Sequence, residues 1–483
     1  MIEIETMMGR LSMYVESRAD YQLKPKERLK TCDFLALEAF LAENTAYRPS
    51  GEIMNIAARR SAINKNEISM YTEYEDAIRC GKTAEETLSL VVKKTLELEG
   101  VHVEGDCEVS EHSSLDNKTC SIESPMASIN LSTEATDTMD DFSARVIRLA
   151  SEHNNQSSED HRMRGVYSFE NNTECVAYIS VDDVLVHRQK TVRKDGRECT
   201  KSTWIYHTVV HIETIEGIYV LEASRQKKAI SAAMAYLIKN GFTDRYLIFF
   251  MDGEETIKEG INEVFSGWPH TILMDYYHVS ERITELFSSA FKPGKIVDDT
   301  QEPECFKNGK VKKQSIKKIT RSQYYVRMFM SMIWYGNIDN ALAWLEKMKE
   351  SDELKPSVGL TKIESVITYI NNKRDRMTCF AMRKLLGLRN SSNQVEIANN
   401  TMVAHRQKRN GLSWSDEGSF ACSQNTMIFK NHESEDFFKK GVINFAPRAI
   451  SEENEESEIR WIQSAQGKSI RMVTTTGVTK MAA

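Results

Sequence analysis

The sequence contains no run of 18 or more apolar residues, which excludes an apolar membrane-spanning helix. Its opening residues carry Glu3, Glu5 and Arg10, so there is no apolar signal-peptide core either. Cysteine is sparse and badly spaced for chemistry: the nine residues Cys32, Cys80, Cys107, Cys120, Cys175, Cys199, Cys305, Cys379 and Cys422 include no C-x-x-C pair. An odd, scattered set argues against a disulfide framework or a thiolate zinc site, and a reducing, cytoplasmic location is expected.

What is present is an ordinary soluble balance. The 483 residues are 41% hydrophobic and 28% charged, enough to bury a sizeable core, and the length allows about three domain-sized units. The net charge of −7 by itself argues against a nucleic-acid partner, but its distribution argues the other way. Residues 101–160 hold 13 acids against three bases, Lys118, Arg145 and Arg148, a local net of −10 that leaves about +3 on the other 423 residues. Rich in Ser, Thr and Asn and nearly free of aromatics, this span is expected to be a flexible acidic linker, with a short helix near 141–150.

Ahead of it the pattern is helical: Leu35-Ala36-Leu37-Glu38-Ala39-Phe40-Leu41, then turn signals at Pro49-Ser50-Gly51, then helical runs at 53–62 and 83–98. Residues 61–69 fit the turn and second helix of a helix-turn-helix; a generic three-helix bundle fits as well. After the acidic span, strands take over. Cys175-Val176-Ala177-Tyr178-Ile179-Ser180-Val181 runs into Asp182-Asp183; strands around 204–212 and 218–221 follow, then a helix over 227–239 stopped by Gly241. Tyr246-Leu247-Ile248-Phe249-Phe250-Met251 ends at Asp252, a helix covers 254–265, and Thr271-Ile272-Leu273-Met274 ends at Asp275. The order βββαβαβ is that of an RNase H-like α/β core.

That layout performs phosphoryl transfer when carboxylates hold two divalent cations about 3.5–4 Å apart. One Asp is needed from the first strand, one from the end of the fourth, and a third acid from a later helix. Asp182 and Asp183 point to opposite faces of their strand, so one of them serves; Asp252 ends the fourth strand, with Asp275 as its competitor. An Asp at a strand end is also an ordinary turn former or helix N-cap. Glu396 is the choice for the third acid, on a helix whose apolar stripe is Val395, Ala398, Met402 and Val403. Asn393 followed by Glu396 reads equally well as a capping box.

Two basic stretches flank these acids. Residues 305–330 have no acid and eight bases, Lys307, Lys310, Lys312, Lys313, Lys317, Lys318, Arg321 and Arg327; residues 373–409 have nine bases against Asp375 and Glu396. They suggest a path for a polyanion.

Four segments together are similar to the catalytic core of prokaryotic insertion-sequence DDE transposases, in the Mutator-allied group: Phe250-Met251-Asp252-Gly253-Glu254; Ile272-Leu273-Met274-Asp275-Tyr276-Tyr277-His278; Leu388-Arg389-Asn390-Ser391-Ser392-Asn393-Gln394-Val395-Glu396-Ile397-Ala398-Asn399; and His405-Arg406-Gln407-Lys408-Arg409-Asn410-Gly411-Leu412-Ser413-Trp414. The resemblance covers most of 167–430, and Leu23-Lys24-Pro25-Lys26-Glu27-Arg28 resembles the region ahead of that core. It implies catalytic, metal-holding roles for Asp182, Asp252 and Glu396, two Mg or Mn ions, and a place beside the site for Asp275 and His278. It implies double-stranded DNA partners, namely terminal inverted repeats and target DNA; the two basic stretches supply the expected contacts, Lys312, Lys313, Lys317, Lys318, Arg321, Arg389, Arg406, Lys408 and Arg409. A homo-oligomer on DNA is implied, and no membrane.

The implied organisation is a helical DNA-binding region at 1–100, a linker at 101–160, an RNase H-like core at 161–278 and 389–430, a basic helical insertion at 279–388, and a tail at 431–483. The chain departs from the family in two ways: its linker is long, and it begins almost inside Thr6-Met7-Met8-Gly9-Arg10-Leu11-Ser12, so an N-terminal DNA-binding piece is expected to be missing. The implied activity is metal-dependent cleavage at element ends and strand transfer into target DNA. The alternatives are a non-catalytic DNA-binding remnant and an RNase H-like nuclease without strand transfer.

Overall fold

The apolar runs of the middle of the chain assemble around one long strand. The structure, a computed structural model, describes residues 2–6, 9–13, 29–30, 32–44, 70–104, 108–111, 175–189, 203–297, 318–408 and 412–448. In chain order, β1 (Ile2–Thr6), β2 (Gly9–Met13) and β3 (Leu29–Lys30) form a small sheet. Helices α1 (Cys32–Asn44) and α2 (Met70–Leu98) follow, then the hairpin of β4 (His102–Glu104) and β5 (Glu108–Glu111). The central elements are β6 (Val176–His187), β7 (Trp204–Thr214), β8 (Gly217–Ala223), α3 (Gln226–Lys239), β9 (Tyr246–Met251), α4 (Glu255–Val264) and β10 (His270–Met274).

These strands form one five-stranded sheet in the order β10-β9-β6-β7-β8. β6, β7 and β8 pair antiparallel as a meander, while β9 and β10 run parallel to β6 through the crossovers α3 and α4. This mixed α/β architecture is compatible with an RNase H-like core. α3 and α4 cover one face. On that face Ala177, Ile179 and Val181 pack with Ile230, Met234, Ile257 and Ile261, all buried. A fully buried residue of this kind contributes about 1.5–3 kcal/mol by leaving water.

Beyond β10 come α5 (Tyr276–Ala290), the short pair β11 (Lys295–Val297) and β12 (Lys318–Thr320), α6 (Arg321–Trp334), α7 (Ile338–Met348), α8 (Val358–Lys373) and α9 (Phe380–Leu385). α5 to α8 enclose a second core of Phe287, Phe329, Leu345, Val366 and Ile370. The chain then returns to the sheet. α10 (Asn393–Asn399) passes directly into a π-helical segment, Asn400–Ala404, and the short α11 (His405–Gln407). α12 (Asp416–Lys430) and α13 (Ser434–Lys440) complete the described fold. The stripe expected on the Glu396 helix is buried as drawn: Val395, Ala398, Met402 and Val403 all lie in the main core.

Several expectations are amended. The first strand does not end at Asp182-Asp183; β6 continues to His187, because Val184 and Val186 keep the apolar alternation going and β7 pairs alongside the whole way. The span expected to be linker starts as structure: Val101 is buried in the main core and β4 pairs with β5, from which Glu108 reaches Arg225 at 3.4 Å. The N-cap of α10 is Ser392, and no side-chain hydrogen bond caps that helix, so the Asn393–Glu396 capping box does not form. The helical run at 53–62, the helix-turn-helix at 61–69 and the helix near 141–150 lie outside the described residues. Among the described residues, no helix is long and apolar enough to cross a membrane.

Candidate metal centre

Strand register brings three aspartates into one row. β6 and β9 pair in parallel with Val176 beside Tyr246 through Ser180 beside Phe250. Carried two residues further, the same offset sets Asp182 beside Asp252. β9 and β10 pair with Met251 beside Met274, so the next position sets Asp252 beside Asp275. Adjacent strands lie about 4.8 Å apart, and the row stands at the carboxyl end of β9 and β10, where α/β sheets bind ligands.

The three acids are used differently. Asp275 is completely buried and its oxygens are taken. Oδ1 accepts from the Tyr277 N–H at 2.6 Å as the N-cap of α5, and Oδ2 accepts from both the N–H (2.5 Å) and Oγ (2.7 Å) of Ser392. It thereby ties the start of α10 to the end of β10. Asp252 keeps more freedom: Oδ1 accepts from the Glu254 N–H at 2.9 Å. The turn beyond it needs Gly253, whose φ of +98° disfavours any side chain, and a Cβ there would meet Met274 Cε at 2.7 Å. Lys373 Nζ donates to the Gly253 carbonyl and pairs with Glu255.

Asp182 lies mid-strand and accepts from its neighbour's N–H at 2.9 Å and from Asn399 Nδ2 at 2.6 Å. Burial first, then the Asp252 charge, push its carboxyl up to about 7, while His278 pulls it back. Asp183 turns to the opposite face, where Thr208 Oγ1 and Gln226 Nε2 donate to it at 2.6 Å each. Burial also raises Asp183, and those two bonds oppose the rise. The face shared with α10 therefore belongs to Asp182.

Glu396 extends from α10 toward α5. Its Oε1 lies 3.5 Å from His278 Nε2, and both atoms are buried without a hydrogen-bond partner. Burial and then the Asp275 charge raise the Glu396 carboxyl, with His278 opposing. Among the described residues, ligand atoms of Asp275, His278 and Glu396 come within 4.8 Å of one another. Glu396 is thus drawn into the group with His278, while the Asp252 charge acts on Asp182. Orphaned buried oxygens and raised carboxyls are what a cation would relieve, and a set of carboxylate oxygens with one imidazole nitrogen suits a divalent ion. The donor set fits Mg or Mn.

A groove beside these groups is lined by Asp182, Val184, Glu396, Asn399, Asn400 and Lys408. Of the bases expected to meet DNA, Lys408 is on this groove and exposed, and Lys318 is exposed on β12. Arg406 sits over the Trp414 ring at 4.9 Å, and Arg321 pairs with Glu353. Arg389 is turned inward, held by both oxygens of Glu213 at 2.5 Å and stacked over Tyr178. Arg376 and Arg383, from the same basic stretch, are fully buried. Lys312, Lys313, Lys317 and Arg409 lie outside the described residues.

The residue reading overlooked Asn399, although its place three positions after Glu396 puts both on one helical face. It also overlooked a buried network. His207 bonds Glu222 and Ser419 at 2.7 Å each, and Ser419 Oγ donates to Gln407 Oε1. The order Ser-His-Glu is that of a hydrolase triad, but all three are buried and the serine hydrogen is committed to Gln407. The network joins the end of α11 to α12 and the sheet.

No family model matches the chain, and no curated protein matches it. Among solved structures, the strand transfer complex of the Drosophila P element transposase aligns with a TM-score of 0.27 and 8% identity, covering 55% of this chain and 79% of that one. Overlap that loose carries no functional argument; it leaves a faint likeness to a transposase.

Proposed function

We propose that the chain is a DDE-type transposase that cleaves DNA at the ends of its element and joins them to target DNA. The observation that carries this reading is the β6–β9 register, paired from Val176–Tyr246 to Ser180–Phe250, whose extension leads to Asp182 and Asp252, with the Glu396 helix bonded to Asp182 through Asn399. Asp182, Asp252 and Glu396 would hold the divalent ions. Bound there, such ions supply an activated oxygen nucleophile and neutralise charge on the scissile phosphate. The protein groups hold and orient. Lys408 at the groove wall meets a phosphate, and Asp275 keeps α10 against the sheet. The turn at Gly253 presents Asp252 past the end of β9.

The test is cleavage of duplexes bearing the element ends, with Mg or Mn, mapped at nucleotide resolution. Nicking at the ends is expected, and Asp182→Asn, Asp252→Asn and Glu396→Gln should each abolish it while melting and DNA binding persist. Protein that binds the ends but never cuts them would make the chain a DNA-binding remnant. Cleavage without joining to target would make it a nuclease.

A further inference from the structure

Asn399 is a neutral side chain on the Glu396 helix that reaches across to Asp182. It is 7% exposed and closes α10, immediately before the π-helical segment. Its Nδ2 donates to Asp182 Oδ2 at 2.6 Å. An ionised carboxylate accepts and cannot donate, so beside it the amide turns its Nδ2 inward. Its Oδ1 is then the atom left over, and it is buried with no hydrogen-bond partner. Leaving a buried acceptor unmet is costly, yet the fold spends a π segment here, and such segments concentrate at functional sites. Glu396 Oε1, on the same helical face, is buried with no hydrogen-bond partner, 3.5 Å from His278 Nε2.

Two such oxygens, in a groove that Asp182, Glu396 and Asn399 line together, suit a ligand that accepts electron pairs. Hard divalent cations take carboxylate and amide oxygens side by side. We propose that Asn399 is a further cation ligand, giving its Oδ1 to the ion held by Asp182 while its Nδ2 keeps that carboxylate in place. The inference rests on the two-metal reading of the site and adds to it a neutral ligand outside the three acids.

Mn²⁺ binding to the full chain, without DNA, is the test, read by the electron paramagnetic resonance of free Mn²⁺ at pH 8 and paired with metal-free melting. Asn399→Ala should weaken Mn²⁺ binding about tenfold or more, in the range seen when groups supporting a metal are removed. Asn399→Asp restores an oxygen and adds charge, so it should bind as tightly as the unaltered protein or tighter, while melting lower without metal. Both variants binding Mn²⁺ within twofold of the unaltered protein, with melting alone changed, would overturn the proposal and make Asn399 a tether whose oxygen meets water. Failure of the unaltered protein to bind Mn²⁺, or normal binding by Asp182→Asn, would instead bring down the two-metal reading itself.

Discussion

The two flanking aspartates of the row, Asp182 and Asp275, have opposite duties. Asp275 satisfies three donors, so Asp275→Asn turns an amide N–H₂ toward groups that also donate. That should cost about 1–3 kcal/mol and lower the melting temperature with or without metal. Asp252→Asn removes a charge that presses on Asp182, so metal-free melting should hold or rise; a marked fall would mean that Asp252 is structural. The Asp182 carboxyl adds a pH signature. Its native pKa of about 7 lies above the ordinary 3.8, so between these values the native state binds more protons than the unfolded one. Stability of the cation-free protein should then fall as pH rises through that window. Asp182→Asn should flatten the slope, as should saturating Mn²⁺, which melts at pH 5 and pH 8 would show. The sequence marks the acids by type but not by duty. A carboxylate that caps a helix and one that awaits a cation look alike until their donors are known.

At the scale of elements, most of the sheet is legible in the sequence. β9 is six apolar residues, and the β7 and β8 runs are β-prone with a turn at Glu216-Gly217. β6 is cut short in such a reading because two adjacent charges resemble an end. Only the pairing with β7 and the contacts from α10 and α3 make those charges tolerable mid-strand. The hairpin β4–β5 is hidden in an acidic composition, although Val101 just before it is buried and Val103 packs against the core. Networks between distant elements leave no local pattern at all: His207 and Ser419 are 212 positions apart. His207→Leu leaves the buried Glu222 Oε1 without its partner, with Gln424 still donating to that carboxylate, and should cost about 3 kcal/mol. Adding Glu222→Leu should recover a good part of that loss, as a double-mutant cycle by urea unfolding would measure. Equal or greater loss in the double variant would show that the network is not a coupled pair.

For the whole molecule, charge in the sequence and charge on the surface are different quantities. The stretch at 373–409 is basic by count, but Arg376 and Arg383 are interior, and Arg389 is paired with Glu213. Lys408 faces the groove. Lys408→Gln should therefore weaken DNA binding on any duplex and reduce the slope of log K against log salt by up to about 0.9. Arg389→Gln should leave that slope alone and lower stability, because Glu213 loses its partner. A slope change in the Arg389 variant would mean that the guanidinium swings out to the DNA.

The helical run that carries Glu396 is a beam pinned at both supports. At one end Ser392 is bonded to Asp275; at the other, Gln407 is bonded to Ser419 and Ser423, and its carbonyl to the Trp414 indole. A run so tied at both ends resists swinging as a unit. Whatever travel Glu396 makes between His278 and Asp182 is then the travel of three side-chain torsions, with the backbone left where it stands.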